Sequence, residues 1–192
     1  MNTTALTEEQ IRELPKVSLH DHLDGGLRPE TILDLAQQSG IDLPGGAPTD
    51  SAEALGQWFA TQADSGSLVE YLKTFDVTLS VMQSVEGLHR VAKEFVEDLV
   101  SDGVIYGEIR WAPEQHLEQG LSLEQAVEAV QAGLDAAVAA AEASGKNIQV
   151  GQLITAMRHN DRGMEIAELA LKYRDKGAVG FDIAGAEAGF PA

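Results

Sequence analysis

Lys16-Val17-Ser18-Leu19-His20-Asp21-His22-Leu23-Asp24-Gly25-Gly26 is the stretch on which the reading of this chain turns. Taken as a strand, its side chains alternate between two faces, so Ser18, His20, His22 and Asp24 fall on one side and Val17, Leu19 and Leu23 on the other. One face is apolar, and the other is built for a cation. Two imidazoles at alternate strand positions can each turn a ring nitrogen to one ion about 2.0–2.1 Å away, the distance zinc keeps from histidine. The paired glycines end the strand and let backbone come close to a ligand. A His-x-His pair alone is common by chance, but the acid at the same parity and the Gly-Gly stop set this one apart. Asp21 breaks the alternation and is read as fraying of the strand.

The 192 residues fall in the ordinary range for one domain. They are few for a complete (β/α)8 barrel, which typically takes about 250. With 31 acidic against 13 basic side chains the net charge is −18, which repels phosphate backbones and anionic lipid and leaves an uncharged nucleoside as an acceptable ligand. Nucleic acid and membrane are therefore not expected partners. There is no cysteine, so disulfides and thiolate metal sites are excluded, including the zinc deaminase design that holds its metal with His and Cys. The N-terminus carries no basic-then-apolar leader and no apolar run reaches spanning length, so a soluble cytoplasmic protein is expected.

Further along, Thr7 and Gln10 form a capping box for a short helix that Pro15 stops. Pro29 opens a helix running to about Ser39, with Gly40 as its stop. Residues 51–102 read as a helical insertion of two or three helices: one capped by Asp50, one capped by Ser67, and one burying Leu88, Val91, Ala92, Phe95 and Leu99. In the second of these Leu68, Tyr71, Leu72 and Phe75 make an apolar stripe at i, i+3, i+4, i+7, whose simplest meaning is core packing. Val104–Trp111 alternates as a second strand, with Glu108 and Arg110 on one face as an expected buried ion pair. Ser122 and Gln125 cap a long alanine-rich helix. A third strand covers about Ile148 to Met157, Asp161 caps the next helix, and a fourth strand covers Ala178 to Ala184. Four strands alternating with helices imply a parallel sheet, and chemistry-bearing residues at strand ends imply a TIM (β/α)8 barrel, of which this chain supplies about the first four strands.

The run Pro15–Pro29 closely resembles the first strand of the adenosine deaminase family, within the metal-dependent amidohydrolases. The resemblance continues in Glu108-Ile109-Arg110-Trp111-Ala112-Pro113, in Met157-Arg158-His159, and in Phe181-Asp182-Ile183-Ala184-Gly185-Ala186-Glu187, spanning nearly the whole chain. It implies hydrolytic deamination of adenosine or deoxyadenosine to inosine and ammonia. On that resemblance His20 and His22 are metal ligands, with zinc the expected ion. His22, Asp24 and Gly185 contact substrate, the Gly185 amide facing the purine, and Leu68, Tyr71, Leu72 and Phe75 form a pocket lid. Asp24, where relatives acting on adenine or on larger nucleoside derivatives tend to carry Glu, favours adenosine or deoxyadenosine. Two histidines leave a catalytic zinc site incomplete. The family's acid/base residues come from later strands and are expected beyond Ala192, so no catalytic residue is assigned here and the chain alone is expected to be inactive. Another amidohydrolase-type purine deaminase, or a half-barrel module without activity, are the alternatives. His159, His89 and His116 read as structural or outlying, and Glu187 follows the fourth strand in a motif of its own. A half-barrel leaves two strand edges open, so the expected partner is the missing half or another copy.

Overall fold

The computed structural model describes residues 5–187 and 189–190. Its elements run α1 (Glu8–Glu13), β1 (Lys16–His22), α2 (Pro29–Ser39), α3 (Ala52–Ala63), α4 (Leu68–Ser80), α5 (Val85–Ser101), β2 (Val104–Trp111), α6 (Leu123–Ala143), β3 (Gln149–Met157), α7 (Gly163–Tyr173) and β4 (Ala178–Ala184). The strands form one sheet in the order β1-β2-β3-β4, every pair parallel. Helices on the connections cover one face. This is the alternation of the first half of a (β/α)8 barrel.

Local chemistry explains most boundaries. Capping boxes at Thr7/Gln10 and Ser122/Gln125 start α1 and α6, Pro29 occupies the first turn of α2, and Gly40 closes it in the left-handed conformation at φ 65°. Two caps differ from the sequence reading. The hydroxyl of Ser51, not the Asp50 carboxylate, accepts the Ala54 amide at 3.1 Å. Helix α7 starts after Arg162 rather than after the expected cap Asp161, and it has no side-chain cap, since a guanidinium carries no acceptor; Arg162 instead donates to the Glu165 carboxylate of the first turn.

The larger correction concerns β1. Val17 pairs with Tyr106 and Ser18 with Gly107, but the next partners are Asp21 with Ile109 and His22 with Arg110. One extra residue on β1 is therefore taken up as a bulge, which shifts the alternation halfway along the strand. Ser18 and Asp21 end on the same face, and the Ser18 hydroxyl donates to the Asp21 carboxylate at 3.2 Å. Asp21 is a bulge residue held in place, not a frayed one. Val17 and Leu19, expected on a covered apolar face, are more than half exposed.

The core lies between the sheet and helices α5, α6 and α7, with Ile109, Trp111 and Ile154 from the strands fully covered by Leu88, Val96, Val130, Leu134 and Ile166. Trp111 donates its indole N–H to Gln152 Oε1 at 3.0 Å, and Gln152 donates on to Gln131 at 2.7 Å, so these three side chains are paired in the core. Helices α5 and α6 meet at Gly133, where an added Cβ would lie 2.9 Å from the Ala92 Cβ and closer still to the His89 carbonyl oxygen. Helix propensity alone would favour a larger residue by up to about 1 kcal/mol. Backbone cannot retreat from that contact, so Gly133→Val is expected to destabilise the fold by roughly 1–3 kcal/mol. A thermal melt at or above that of the parent chain would contradict this packing. Among the described residues no helix is long and apolar enough to cross a membrane.

Candidate functional site

The C-terminal ends of the four strands converge on a cleft of about 260 Å³. Each strand sends residues to it: β1 His22 and, in the following turn, Asp24; β2 Trp111 and Ala112; β3 Thr155, Met157 and then His159; β4 Ala184 and Gly185. Helix α4 closes one side with Leu72, Phe75, Asp76 and Leu79. The cleft thus brings together His22, Asp24, Gly185, Leu72 and Phe75. Tyr71 lines a neighbouring cavity, while Leu68 is two-thirds exposed and borders neither. His20 stands outside the cleft wall, yet its ring lies beside that of His22 with centroids 5.6 Å apart. The acid/base residues expected beyond Ala192 fall past the last residue of the sequence, and Ala192 itself lies outside the described residues.

His22 is half-exposed and meets the Phe75 edge at 6.5 Å between centroids. Its Nδ1 is 3.7 Å from Asp24 Oδ1. Asp24 is only 6% exposed, and that Oδ1 has no hydrogen-bond partner among the described residues. An unpaired buried carboxylate oxygen is costly. Arg110 Nε, His116 Nε2 and Arg158 Nε share that condition, and the Asp24 oxygen is the one carboxylate among them. Gly185 sits at φ 105°, a conformation open to glycine and closed to other residues. A side chain there would also press on His159 Nδ1 and Met157 Cε, both 3.3 Å from a Cβ.

Below the cleft, Arg110 pairs with Asp182 at 3.2 Å and donates to the Leu19 carbonyl, while Thr155 donates to the same Asp182 oxygen at 3.4 Å. The expected pair of Glu108 with Arg110 does not form. Glu108 instead accepts the Tyr106 hydroxyl at 2.8 Å, which holds the phenol above its ordinary pKa. Glu114 lies outside anything the sequence suggested. One of its oxygens accepts the Met157 amide at 2.7 Å and the other the Asn160 side chain at 2.8 Å, fastening the end of β3 to the loop after β2. Thr155 was also unannounced, and Met157 had entered only through the Met157-Arg158-His159 resemblance. Their two-residue spacing was the available signal, but a strand covered on both faces hides it. His159 is exposed, and among the described residues its ring makes no hydrogen bond; it packs against Phe190 at 6.1 Å.

His116 is fully buried against Trp111, its Nδ1 2.9 Å from the Met82 carbonyl. Burial pushes its imidazole from 6.5 down to about 4, the charge of Asp24 opposing the shift more weakly. Between these values the unfolded chain takes up a proton that the folded chain refuses. Stability from this group is therefore complete above pH 6.5 and declines towards pH 4, by about 3 kcal/mol in all. His116→Gln is expected to flatten the fall of melting temperature over that window; an unchanged slope would show that His116 is not its source.

His20 and His22 supply two imidazoles to one side of the strand, and among the described residues no group of three or more metal-ligating side chains comes together. The donor set present fits part of a first-row divalent ion's shell.

A family model described as adenosine deaminase matches residues 15–192. The chain is 56% identical over 189 residues to an adenosine deaminase of Mycobacteroides abscessus, covering 98% of this chain and 51% of that protein. Among solved structures it resembles the N6-mAMP deaminase MAPDA of Arabidopsis, with 32% identity, a TM-score of 0.75, and coverage of 94% of this chain and 53% of the other. It shares the fold of a zinc-bound amidohydrolase from Burkholderia ambifaria at 22% identity and a TM-score of 0.75, covering 98% and 50% of the two chains. The chain spans about half the length of the relatives it matches.

Proposed function

Because the chain belongs to the adenosine deaminase family, we propose that its cleft binds a purine nucleoside for hydrolytic deamination, adenosine or deoxyadenosine giving inosine or deoxyinosine and ammonia. The observation that carries this is the buried, unpartnered oxygen of Asp24 on the wall of a cleft also lined by His22 and Gly185. A buried carboxylate oxygen without a donor suits a sugar hydroxyl, which brings one.

In this reading the residues divide the work by position. Asp24 accepts the ribose hydroxyl and fixes the sugar. Gly185 presents its amide to the edge of the base, the absence of a side chain allowing a flat ring to approach. Leu72 and Phe75 cover the apolar faces of the ligand and keep water off it, with Tyr71 buttressing Phe75 edge-on at 5.6 Å. His20 and His22 would hold a divalent metal, zinc by the preference of imidazole donors and by analogy with the zinc-bound neighbour. When bound, that ion supplies hydroxide near neutral pH by lowering the pKa of water. None of the 192 residues, up to and including Ala192, is assigned the proton transfer to the purine. Helices α3 to α5, an insertion between β1 and β2, serve to set α4 over the cleft. The open sides of β1 and β4 take up further strands, from the remaining half of a barrel or from a second copy.

The test is adenosine turnover, followed by the ultraviolet change on conversion to inosine, with zinc present. The chain alone is expected to give no turnover. Mixed with the unmatched half of the Mycobacteroides abscessus relative it is expected to give turnover that His22→Ala removes. Failure of a folded, assembled mixture to act on adenosine would overturn the proposal.

A further inference from the structure

Strand β2 gives out before β3 does. The last rung between them joins Trp111 to Ile154, and β3 runs on to Met157 paired with β4 alone among the described residues. The amides of Gln152 and Arg158 donate towards β4, to the Gly177 and Ala184 carbonyls at 2.8 and 2.9 Å. With the two-residue period of a strand, the Met157 amide therefore faces the side that β2 has left. The Glu114 carboxylate fills that place. Its Oε1 accepts the Met157 amide at 2.7 Å, and its Oε2 accepts the Asn160 side-chain amide at 2.8 Å. Between these two grips the chain makes a tight turn, closed by the Asn160 backbone amide on the Met157 carbonyl at 2.9 Å. Glu114 is itself firmly mounted, because the residues after it are tied to the end of α4. Gln83 donates to the Gln115 carbonyl at 2.8 Å, and His116 Nδ1 lies 2.9 Å from the Met82 carbonyl.

We propose that Glu114 is a positioning residue for the purine: it stands outside the cleft wall and, through the turn at residues 157–160, sets the direction of the Gly185 amide. The inference rests on the reading of Gly185 as the donor to the base, and it adds the residue that aims that donor. The linkage runs through one peptide group. Arg158, next to the gripped Met157, donates its amide to the Ala184 carbonyl. That carbonyl and the Gly185 N–H belong to the same planar peptide, so holding the one fixes the direction of the other. The turn also packs on Gly185 directly, with His159 Nδ1 and Met157 Cε each 3.3 Å from where a Cβ would stand. Glycine has the freest backbone of any residue, so at φ 105° its amide depends on such fixing from outside. Hydrogen bonds to an ionised acceptor are the stronger kind, and a single carboxylate makes both of them here.

The test is calorimetric titration of the zinc-supplemented chain with adenosine. Glu114→Ala releases the Met157 amide and the Asn160 side chain, and is expected to weaken adenosine by about 30-fold, the order that follows loss of hydrogen bonds to a charged group. Glu114→Gln is the rescue. Its amide oxygen still accepts from Met157, and the exposed Asn160 turns its own amide over to accept from the new donor, so adenosine should stay within about threefold of the parent. A double mutant separates aiming from mere support of the fold. Acting through the same amide, Glu114→Ala should add no more than about twofold to the loss caused by Gly185→Val, whereas independent effects multiply. Zinc affinity in Glu114→Ala, read by competition against a chelator, should not change, because the imidazoles lie on β1 and the turn on β3. Unchanged adenosine affinity in folded Glu114→Ala, a Glu114→Gln chain as weak as Glu114→Ala, or losses that multiply with Gly185→Val would each overturn the proposal. Should Glu114→Ala not fold, Asn160→Ala takes its place, since it empties one grip only. Adenosine weakened about fivefold then supports the proposal, and unchanged adenosine overturns it. A parent chain that binds no adenosine removes the nucleoside reading beneath, whereas equal binding by the parent and Glu114→Ala removes this inference alone.

Discussion

His22→Ala is expected to lower zinc affinity by more than the roughly 10–100-fold that follows loss of an outer-shell partner, since it deletes one of two imidazoles on the same side of β1. Competition against a chromophoric chelator measures this directly. The fold should survive: the His22 side chain is 41% exposed and meets only the edge of Phe75's ring, so the melt without metal should shift little. His20→Ala should act in the same direction. His89→Ala, half-buried on α5 and far from this strand in sequence, serves as the control with unchanged affinity. A His22→Ala chain that takes up zinc as tightly as the parent would remove His22 from the metal site and would deprive the proposed hydrolysis of its starting point.

The second large effect is expected at Gly185. Substitution by valine places a β-branched side chain at φ 105°, where such residues carry a strain of about 1–3 kcal/mol, and sets a Cβ 3.3 Å from both His159 and Met157. The position is exposed and follows the last strand, so the segment can swing aside instead of unfolding. Nucleoside affinity should therefore fall by about 100-fold, equivalent to roughly 2.7 kcal/mol, while the melting temperature changes by only a few degrees. Intact nucleoside binding in Gly185→Val would show that this amide does not meet the base.

His22 is legible from its place on the strand and Gly185 from the resemblance of residues 181–187 to the family's motif, and both line the cleft. Alone, the glycine reads as a strand stop, whereas a histidine at the close of β1 needs little knowledge of the rest of the chain. The helices were legible for a similar reason: the buried face of α5, Leu88, Val91, Ala92, Phe95 and Leu99, repeats with the helical period. What the sequence hid depends on neighbours remote along the chain. The bulge in β1 is set by register against β2, so strict alternation assigned Ser18 to the wrong face. Arg110 chose Asp182, 72 positions away, over Glu108 two positions away, because the barrel interior and not the strand decides which charges meet. Glu114 gave no signal at all, since its partners Met157 and Asn160 reach it only through the fold. The stripe on α4 was right as a period, but an apolar stripe is wide: Leu72 and Phe75 reach the cleft, Tyr71 turns to the cavity behind it, and Leu68 lies beyond both.

Among the described residues β1 and β4 each pair on one side only, so the proposed second copy can meet either edge. Both strands point the same way, and Val179, Phe181 and Ile183 lie exposed along β4 as Val17 and Leu19 do along β1. Where β4 of one molecule meets β1 of another, the contact is head-to-tail, and its rotation governs the outcome. A half-turn about a shared axis joins eight strands into a closed ring with no flank left, whereas any rotation that misses closure repeats without end. The tilt of a single pair of strands therefore decides between a discrete particle and a fibre.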